Sequence, residues 1–379
     1  MSKLFEESSI NCMSLKNRFV RAATWEGLAS REGEATPKLI ALMAALARGG
    51  VGLIISSHSY VSQDGQGTPW QLGVYDDKLI PKLQEMVAAV HERNGKIVMQ
   101  LAHAGMYAEV PLTGQPALAV SDPDGFPKGN IKTITAEGIQ RLVGFYSQAA
   151  KRAQDSGFDG IEIHSGHGYF LSQFLSPAYN RRQDEYGGSI NNRARIHLLI
   201  YQAIREVVGK EYPILIKMNC ADFIENGLTI DDSLKAARLF ADAGFDAIEV
   251  SGGIIRTGKL SPSRPGIREE SKEAYFKEYA QRFKREIKAP LILVGGLRSF
   301  AVAEKVLGDG IADYISMSRP LIREPGLINR WQKGDLRRAE CKSDNLCFNP
   351  GFEGKGIYCV AKEIEKNKTG SQQMSAHFS

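Results

Sequence analysis

The sequence carries two imidazoles and a phenol close together. His164, His167 and Tyr169 lie within IEIHSGHGYF, and elsewhere Gln100 and Lys217 each stand near the end of a short apolar run. Imidazole N–H groups can hold and polarise an oxygen, and a phenol that is neutral at pH 7 can deliver a proton. An amide offers both a donor and an acceptor, and a lysine adds a positive charge. These residue types suit a planar, anionic, hydrogen-bonding ligand and proton-transfer chemistry.

The histidine pair has two other interpretations. The spacing H-x-x-H also occurs in metal sites, which need a third and usually a fourth ligand. Asp222 and Cys220 are candidates, but no recognised spacing joins them to His164 and His167. A purely structural histidine pair is the remaining alternative.

Alternating strand-like and helix-like segments must position these residues. Eight apolar or β-branched runs read as continuous hydrophobic stretches, which is typical of parallel strands covered on both faces. They span residues 19–22, 52–56, 97–100, 160–164, 214–218, 247–251, 291–295 and 314–318. Amphipathic helical patterns lie between and after them, at 36–47, 81–93, 135–156, 192–208, 229–243, 271–287, 299–307 and 324–333.

This order of elements predicts an α/β fold, a (β/α)8 barrel. An open doubly wound sheet is the alternative, but the count of eight and the polar residues at the strand ends favour the barrel. Two long connections, 102–133 and 165–190, follow strands and would form lid loops on the catalytic face. We expect the barrel to span residues 1–335, and 336–379 to form a Cys-containing extension that is partly disordered.

Composition and charge narrow the classes of function. The 379 residues are 43% hydrophobic and 24% charged, with a net charge of +5, as in an ordinary soluble protein. The charge is too small and too dispersed to indicate a nucleic-acid partner. No apolar run reaches the roughly 18 residues of a membrane helix, and the start lacks the apolar segment of a signal peptide. We therefore expect a cytoplasmic protein with no membrane or nucleic-acid partner. Five cysteines, an odd number, argue against a disulfide framework.

Several longer motifs resemble the Old Yellow Enzyme-like family of NADH:flavin oxidoreductases. The resemblance covers roughly residues 4–331. Its motifs are KNRFV at 16–20, VMQLAHAG at 98–105, HSGHGYFLSQFLSP at 164–177, RRQDEYGGSINNRAR at 181–195 and ADYISMSRP at 312–320. The resemblance implies FMN, held without a covalent bond at the mouth of the barrel, and NADH or NADPH as its reductant.

The resemblance also implies the cofactor contacts. Gln100 would bond the polar edge of the isoalloxazine, and Lys217 would lie beside N1–C2=O, where many relatives carry arginine. The alternatives are a glutamine satisfied by backbone and a lysine in a structural ion pair. Four residues would lie along the flavin: Ala23, Thr24, Trp25 and His58. Four others would surround its phosphate: Gly295, Gly296, Ser318 and Arg319. An ordinary tight turn is the alternative for the two glycines.

Catalysis follows from the same resemblance. In this family an α,β-unsaturated carbonyl lies over the flavin, with its oxygen held by a pair such as His164 and His167. Hydride passes from flavin N5 to Cβ, and Tyr169 matches the phenol that protonates Cα. The implied activity is reduction of a small-molecule enone. One alternative is a related flavoenzyme that acts on amines or dienoyl thioesters with a partner electron carrier. Another is a flavin-free barrel that binds a phosphate ligand.

Two features depart from the family. Trp25 stands where many relatives have Thr or Cys beside flavin C4=O, so its indole either walls the site or packs into the nearby core. In the tail, Cys341, Cys347 and Cys359 correspond to a segment that binds a [4Fe-4S] cluster in larger relatives. Asp344 occupies what looks like a ligand position, and a tetrathiolate cluster needs four cysteines. We interpret the tail as a relic without metal, with an unusual cluster or a zinc site as alternatives. Because relatives form dimers and tetramers, we expect a homo-oligomer.

Overall fold

The computed structural model describes residues 2–122, 130–255 and 257–367. Eight strands in this part of the chain close into a barrel in which every neighbouring pair is parallel. The predicted (β/α)8 barrel is therefore confirmed, and the open sheet is wrong. The described strands are β1 Ser8–Ile10, β2 Met13–Leu15, β3 Phe19–Arg21, β4 Leu53–Tyr60, β5 Lys96–Ala102, β6 Ala117–Ala119, β7 Ile131–Thr133, β8 Ile161–Ser165, β9 Ile214–Asn219, β10 Ala247–Ser251, β11 Leu291–Val294 and β12 Tyr314–Met317.

Helices follow the barrel strands, and short helices occur in the loops and the tail. They are α1 Pro37–Arg48, α2 Ile80–His91, α3 Val110–Thr113, α4 Ala136–Asp155, α5 Phe170–Leu175, α6 Ile190–Val208, α7 Ile230–Ala243, α8 Lys277–Glu286, α9 Phe300–Gly308, α10 Arg319–Arg323, α11 Leu327–Gln332 and α12 Asn349–Phe352. In α2, the buried residues Leu83, Met86, Val87 and Val90 recur at helical spacing, so one face packs on the barrel. No helix of the described residues is long and apolar enough to cross a membrane.

The barrel interior is filled in layers, because successive side chains of a strand point to opposite faces. On β8, Ile161 and Ile163 join the large cluster that packs under the helices, so Glu162 and His164 point inward. A second apolar cluster fills the opposite end of the barrel and includes Val20, Leu53, Val98 and Leu215. The short antiparallel pair β1–β2, which the apolar runs do not predict, adds Ile10, Met13 and Leu15 to this cluster.

The two long loops contain short elements. In the first, β6 and β7 pair in parallel, α3 precedes them, and residues 123–129 lie outside the described part. The second loop contains α5, whose residues are all buried. One helix boundary was wrong by several residues. The pattern at 271–287 predicts a single helix, but residues Glu270–Lys272 form a 3-10 turn and α8 begins only at Lys277.

The tail folds against the barrel over the residues that the structure describes. A 3-10 turn at Leu346–Phe348 leads into α12, and residues 360–367 are helical. Pro350 and Gly351 are buried. The polar end that we expect to be disordered lies almost wholly outside the described residues.

Candidate active site

A cavity of about 440 Å³ lies at the carboxyl ends of the barrel strands. The predicted residues line it, with the exception of Gly295. They are Ala23, Thr24, Trp25, His58, Gln100, His164, His167, Tyr169, Lys217, Gly296, Ser318 and Arg319. Residues from separate strand ends thus meet at one mouth, as the topology requires.

The two imidazoles and the phenol form one group in this cavity. The ring centres of His164 and His167 are 5.2 Å apart, and Tyr169 lies 5.3 Å from His164. His167 Nε2 bonds the Ser251 hydroxyl at 2.8 Å, and its backbone N–H donates to Asn219 Oδ1 at 3.0 Å. His167 adopts a left-handed φ of 64°, which these two contacts hold in place. His164 Nδ1 is buried and has no partner among the described residues, so it is available to a ligand.

Burial sets the protonation of this group. It lowers the pKa of His164 and of His167 well below the ordinary value, and the positive charge of Lys217 acts in the same direction. Burial also raises the pKa of Tyr169 to about 12, with a smaller effect of Tyr107. Neutral imidazoles and a neutral phenol therefore face the cavity at pH 7.

The amide and the cation enter the cavity from β5 and β9, the two strands that flank β8, and each is held by a carboxyl group. Gln100 Nε2 donates to Glu162 Oε2 at 2.5 Å, and Lys217 Nζ lies 3.1 Å from Glu249 Oε2. Lys217 is thus in an ion pair and also lines the cavity, so the two interpretations of this residue are compatible.

The opposite end of the cavity is suited to an anion. Arg319 Nη1 donates to Arg264 O at 2.9 Å and to Asn345 Oδ1 at 2.7 Å. Both bonds use Nη1, so the guanidinium retains further donors. The hydroxyls of Thr24 and Ser318 lie 2.7 Å apart beside it. A phosphate matches such a set of donors and positive charge.

Gly295 and Gly296 have different positions relative to the cavity. Gly296 lines the cavity with φ of +73°, and a Cβ built there would lie 2.7 Å from the Tyr275 ring. Gly295 has φ of +135°, and its carbonyl accepts the N–H of Tyr275 at 3.1 Å. Gly295 therefore lies behind the cavity wall, where it shapes the turn without lining the cavity.

Trp25 combines the two alternatives that the sequence left open. It is 9% exposed, yet it lines the cavity. Its ring lies 4.8 Å from that of Phe352, and the backbone of Gly351 is so close that a Cβ there would lie 3.0 Å from the indole. The tail therefore covers Trp25.

Sequence reasoning missed the part of the cavity wall that the tail supplies. Ser343, Asn345, Phe348 and Phe352 line the cavity, although the cysteines drew attention to the segment for another reason. Ser251, which bonds His167, was also missed. Its position at the end of an apolar strand, like that of His164, was an available signal.

The metal alternatives find no support in the described ranges. There, no group of three or more His, Cys, Asp or Glu residues could hold a metal ion. Cys341 and Cys347 are buried, and Cys359 Sγ accepts from Arg323 Nη1 at 3.6 Å.

Comparisons with known proteins identify the family of this chain. Residues 3–337 match the model of the NADH:flavin oxidoreductase / NADH oxidase family. The chain is 36% identical over 371 residues to an NADH oxidase of Thermoanaerobacter brockii, covering 95% of this chain and 56% of that protein. It therefore spans little more than half the length of that relative. It is 30% identical over 393 residues to a 4,4'-dithiodibutanoate disulfide reductase of Rhodococcus erythropolis, covering 95% of each.

A solved structure shows the same barrel. The old yellow enzyme homologue of Zymomonas mobilis superposes with a TM-score of 0.76 at 26% identity, over 90% of this chain and 96% of that chain. The chain belongs to the NADH:flavin oxidoreductase / NADH oxidase family, whose members bind FMN and use NADH or NADPH.

Proposed function

We propose that this chain is an FMN-dependent ene-reductase that uses NADH or NADPH to reduce the C=C bond of α,β-unsaturated carbonyl compounds. The observation that carries the proposal is the neutral His164, His167 and Tyr169 group in the cavity, which joins two imidazoles that can each donate an N–H to one phenol that can donate a proton.

The cavity fits FMN by the chemistry of its donors. Gln100 and Lys217 offer hydrogen-bond and charge partners for the polar edge of the isoalloxazine. Arg319 and the open turn at Gly296 would hold the phosphate, where a side chain on Gly296 would collide with Tyr275. His58 would lie against the flavin, and burial lowers the pKa of this histidine to about 4, so it adds no charge.

The residues of the chain then have separate tasks. His164 and His167 bind the carbonyl oxygen as N–H donors, and this polarises the conjugated C=C bond. The chemistry that bound FMN would supply is hydride transfer, with NADH or NADPH as its reductant. Tyr169 delivers the proton to Cα from its hydroxyl, and its raised pKa keeps that proton in place until it is needed.

Tyr169→Phe tests the proton-donor role. In the FMN-loaded Tyr169→Phe variant, we expect 2-cyclohexenone to oxidise the reduced flavin more slowly than in wild type, by about a hundredfold or more. This is the usual range for the loss of a general acid. The rate at which NADPH reduces the bound flavin should stay the same. Tyr146→Phe is a matched control, because Tyr146 is buried on α4, its hydroxyl has no partner among the described residues, and it lies outside the cavity lining. If Tyr169→Phe behaves like Tyr146→Phe in both half-reactions, the role is refuted.

His164→Ala tests oxygen binding. Phenolate-type ligands bind where a carbonyl oxygen would, so the variant should bind p-hydroxybenzaldehyde more weakly and show a smaller long-wavelength charge-transfer band. Unchanged affinity and an unchanged band would remove His164 from the oxygen site.

A second candidate substrate class is a small disulfide. The Rhodococcus relative is a disulfide reductase, and it matches this chain over nearly the full length of both proteins. The two proposals are separated by comparing the rates at which the same preparation reduces 4,4'-dithiodibutanoate and 2-cyclohexenone. Four other points stay predictions from the sequence. They are action on amines or dienoyl thioesters, a cytoplasmic location, a homo-oligomeric state and the domain limit at residue 335.

A further inference from the structure

Two acidic residues lie inside the barrel directly beneath the cavity. Glu162 is the second residue of β8, Glu249 is the third of β10, and both are fully buried. Neither lines the cavity, and the function proposed above uses neither of them. A buried charge without a partner is costly, so we expect each carboxyl group to have polar or charged partners.

Each carboxyl group holds one residue of the cavity. Glu162 Oε2 accepts from Gln100 Nε2 at 2.5 Å. Glu249 Oε2 lies 3.1 Å from Lys217 Nζ, and Glu249 Oε1 accepts from the Ser316 hydroxyl at 2.7 Å. Gln100 and Lys217, which are also buried, reach the cavity above them.

One oxygen of each carboxyl group is left over. Glu162 Oε1 is buried without a hydrogen-bond partner among the described residues. Glu249 Oε2 is likewise buried and makes no aligned hydrogen bond within the described part of the chain, although it lies beside the Lys217 ammonium. Two buried carboxylates facing one ammonium would leave a net negative charge in the barrel. One proton between the two carboxyl groups would remove that charge and satisfy the remaining oxygens.

We propose that Glu162 and Glu249 share one proton at neutral pH and act as positioning residues for Gln100 and Lys217. The proton joins the two carboxyl groups, so that the pair and Lys217 together are neutral. The effect assigned to the flavin rests on the function proposed above, whereas the shared proton does not.

The groups that act on Glu162 agree with this arrangement. Burial is the main reason that its pKa is raised well above the usual value, and the charge of Glu249 and its hydrogen bond add to this. Lys217 and the Gln100 amide act in the opposite direction. Because the Gln100 nitrogen donates to Glu162, its carbonyl oxygen is the atom left to accept from a ligand. Gln100 thus offers an acceptor and Lys217 a donor. The net charge of Lys217 and the two carboxyl groups beside the ligand is zero.

The shared proton is tested first without flavin. Infrared spectra of the apoprotein at pH 7 should show the carbonyl stretch of one buried carboxylic acid. This band should disappear in Glu162→Gln and also in Glu249→Gln, because the remaining carboxylate ionises beside Lys217. Glu92→Gln is the control, since the Glu92 side chain is 70% exposed, and it should leave the band unchanged. Absence of the band from the wild-type apoprotein overturns the shared proton.

The charge effect is tested on FMN-loaded protein by the ratio of the dissociation constants of oxidised and reduced FMN. Each single substitution leaves one carboxylate for Lys217, so this ratio should change less than about threefold. The double variant Glu162→Gln/Glu249→Gln leaves Lys217 unpaired, so it should favour reduced FMN by at least about tenfold. Two fully ionised carboxylates would instead give a shift in each single variant, and that result overturns the proposal. If wild-type protein binds no FMN, the proposed function fails while the infrared result still decides the shared proton.

Discussion

Gly296→Ala separates the cost of a left-handed backbone from the need for an open turn at the cavity. Gly296 has φ of +73°, and its Cβ would lie 2.7 Å from Tyr275 Cε1. Gly266 has nearly the same φ, +71°, and no atom of the described residues lies within 4 Å of the corresponding Cβ. Gly266→Ala is therefore a matched control that measures the backbone cost alone.

The expected magnitudes follow from these two environments. A left-handed L-residue costs about 1–2 kcal/mol, and the reduced freedom of the unfolded chain returns about 0.4–1 kcal/mol. Gly266→Ala should thus lower the free energy of unfolding by about 1 kcal/mol. Gly296→Ala should lower it further, because the Tyr275 ring must move. That ring is held by its hydroxyl, which donates to Pro262 O at 2.7 Å, a bond worth about 1 kcal/mol.

The assay compares denaturant unfolding of the two apoproteins and then their affinity for FMN. Gly296→Ala should bind FMN at least about tenfold more weakly than wild type, which corresponds to about 1.4 kcal/mol. Gly266→Ala should bind it with nearly wild-type affinity. Equal losses of stability and of affinity in the two variants would refute the argument, because the close approach to Tyr275 would then have no consequence.

Three further results are expected. Arg319→Gln should weaken FMN binding by about tenfold to a hundredfold, the range for a lost charged hydrogen bond, as measured by fluorescence titration. Phe352→Ala should alter the KM for enones while it lowers stability by about 1 kcal/mol or less, because Phe352 is 64% exposed but covers Trp25. Phe145→Ala, at a half-exposed phenylalanine of α4, is its control and should leave KM unchanged. The rate of enone reduction should stay constant between about pH 6 and about pH 10, because burial raises the pKa of Tyr169 to about 12. Stopped-flow rates that change near pH 7 would contradict this.

The sequence predicted the barrel because its strands are covered on both faces, which leaves continuous apolar runs. The same property concealed Glu162 and Glu249. Each is a single charge within such a run, IEIH and AIEVS, two residues before His164 and Ser251 respectively. The two-residue period of a strand places all four side chains in the barrel interior, so this alternation was the available signal. Their partners on other strands could not be known before the barrel closed.

The glycine pair shows a different limit. Both glycines adopt positive φ, as their residue type suggests, but only Gly296 lines the cavity. Tyr275 packs against both glycines, because its ring lies within 3.2 Å of the Cβ position of each. Tyr275 precedes α8, in the region where the helical pattern was extended too far, so its contact with the turn had no signature in the sequence.

The cysteine tail contacts the anion-binding end of the cavity. Asn345 Oδ1 accepts from Arg319 Nη1 at 2.7 Å, and its Nδ2 donates to Ser263 O at 2.8 Å. Ser343 and Asn345 adopt left-handed φ values of 53° and 63°, conformations that non-glycine residues keep only where their surroundings fix them. Asp344, between them, is exposed and caps Leu346 N–H at 3.1 Å, so its carboxylate serves the local turn. The segment is thus shaped to bring an amide to the guanidinium at the anion-binding end of the cavity.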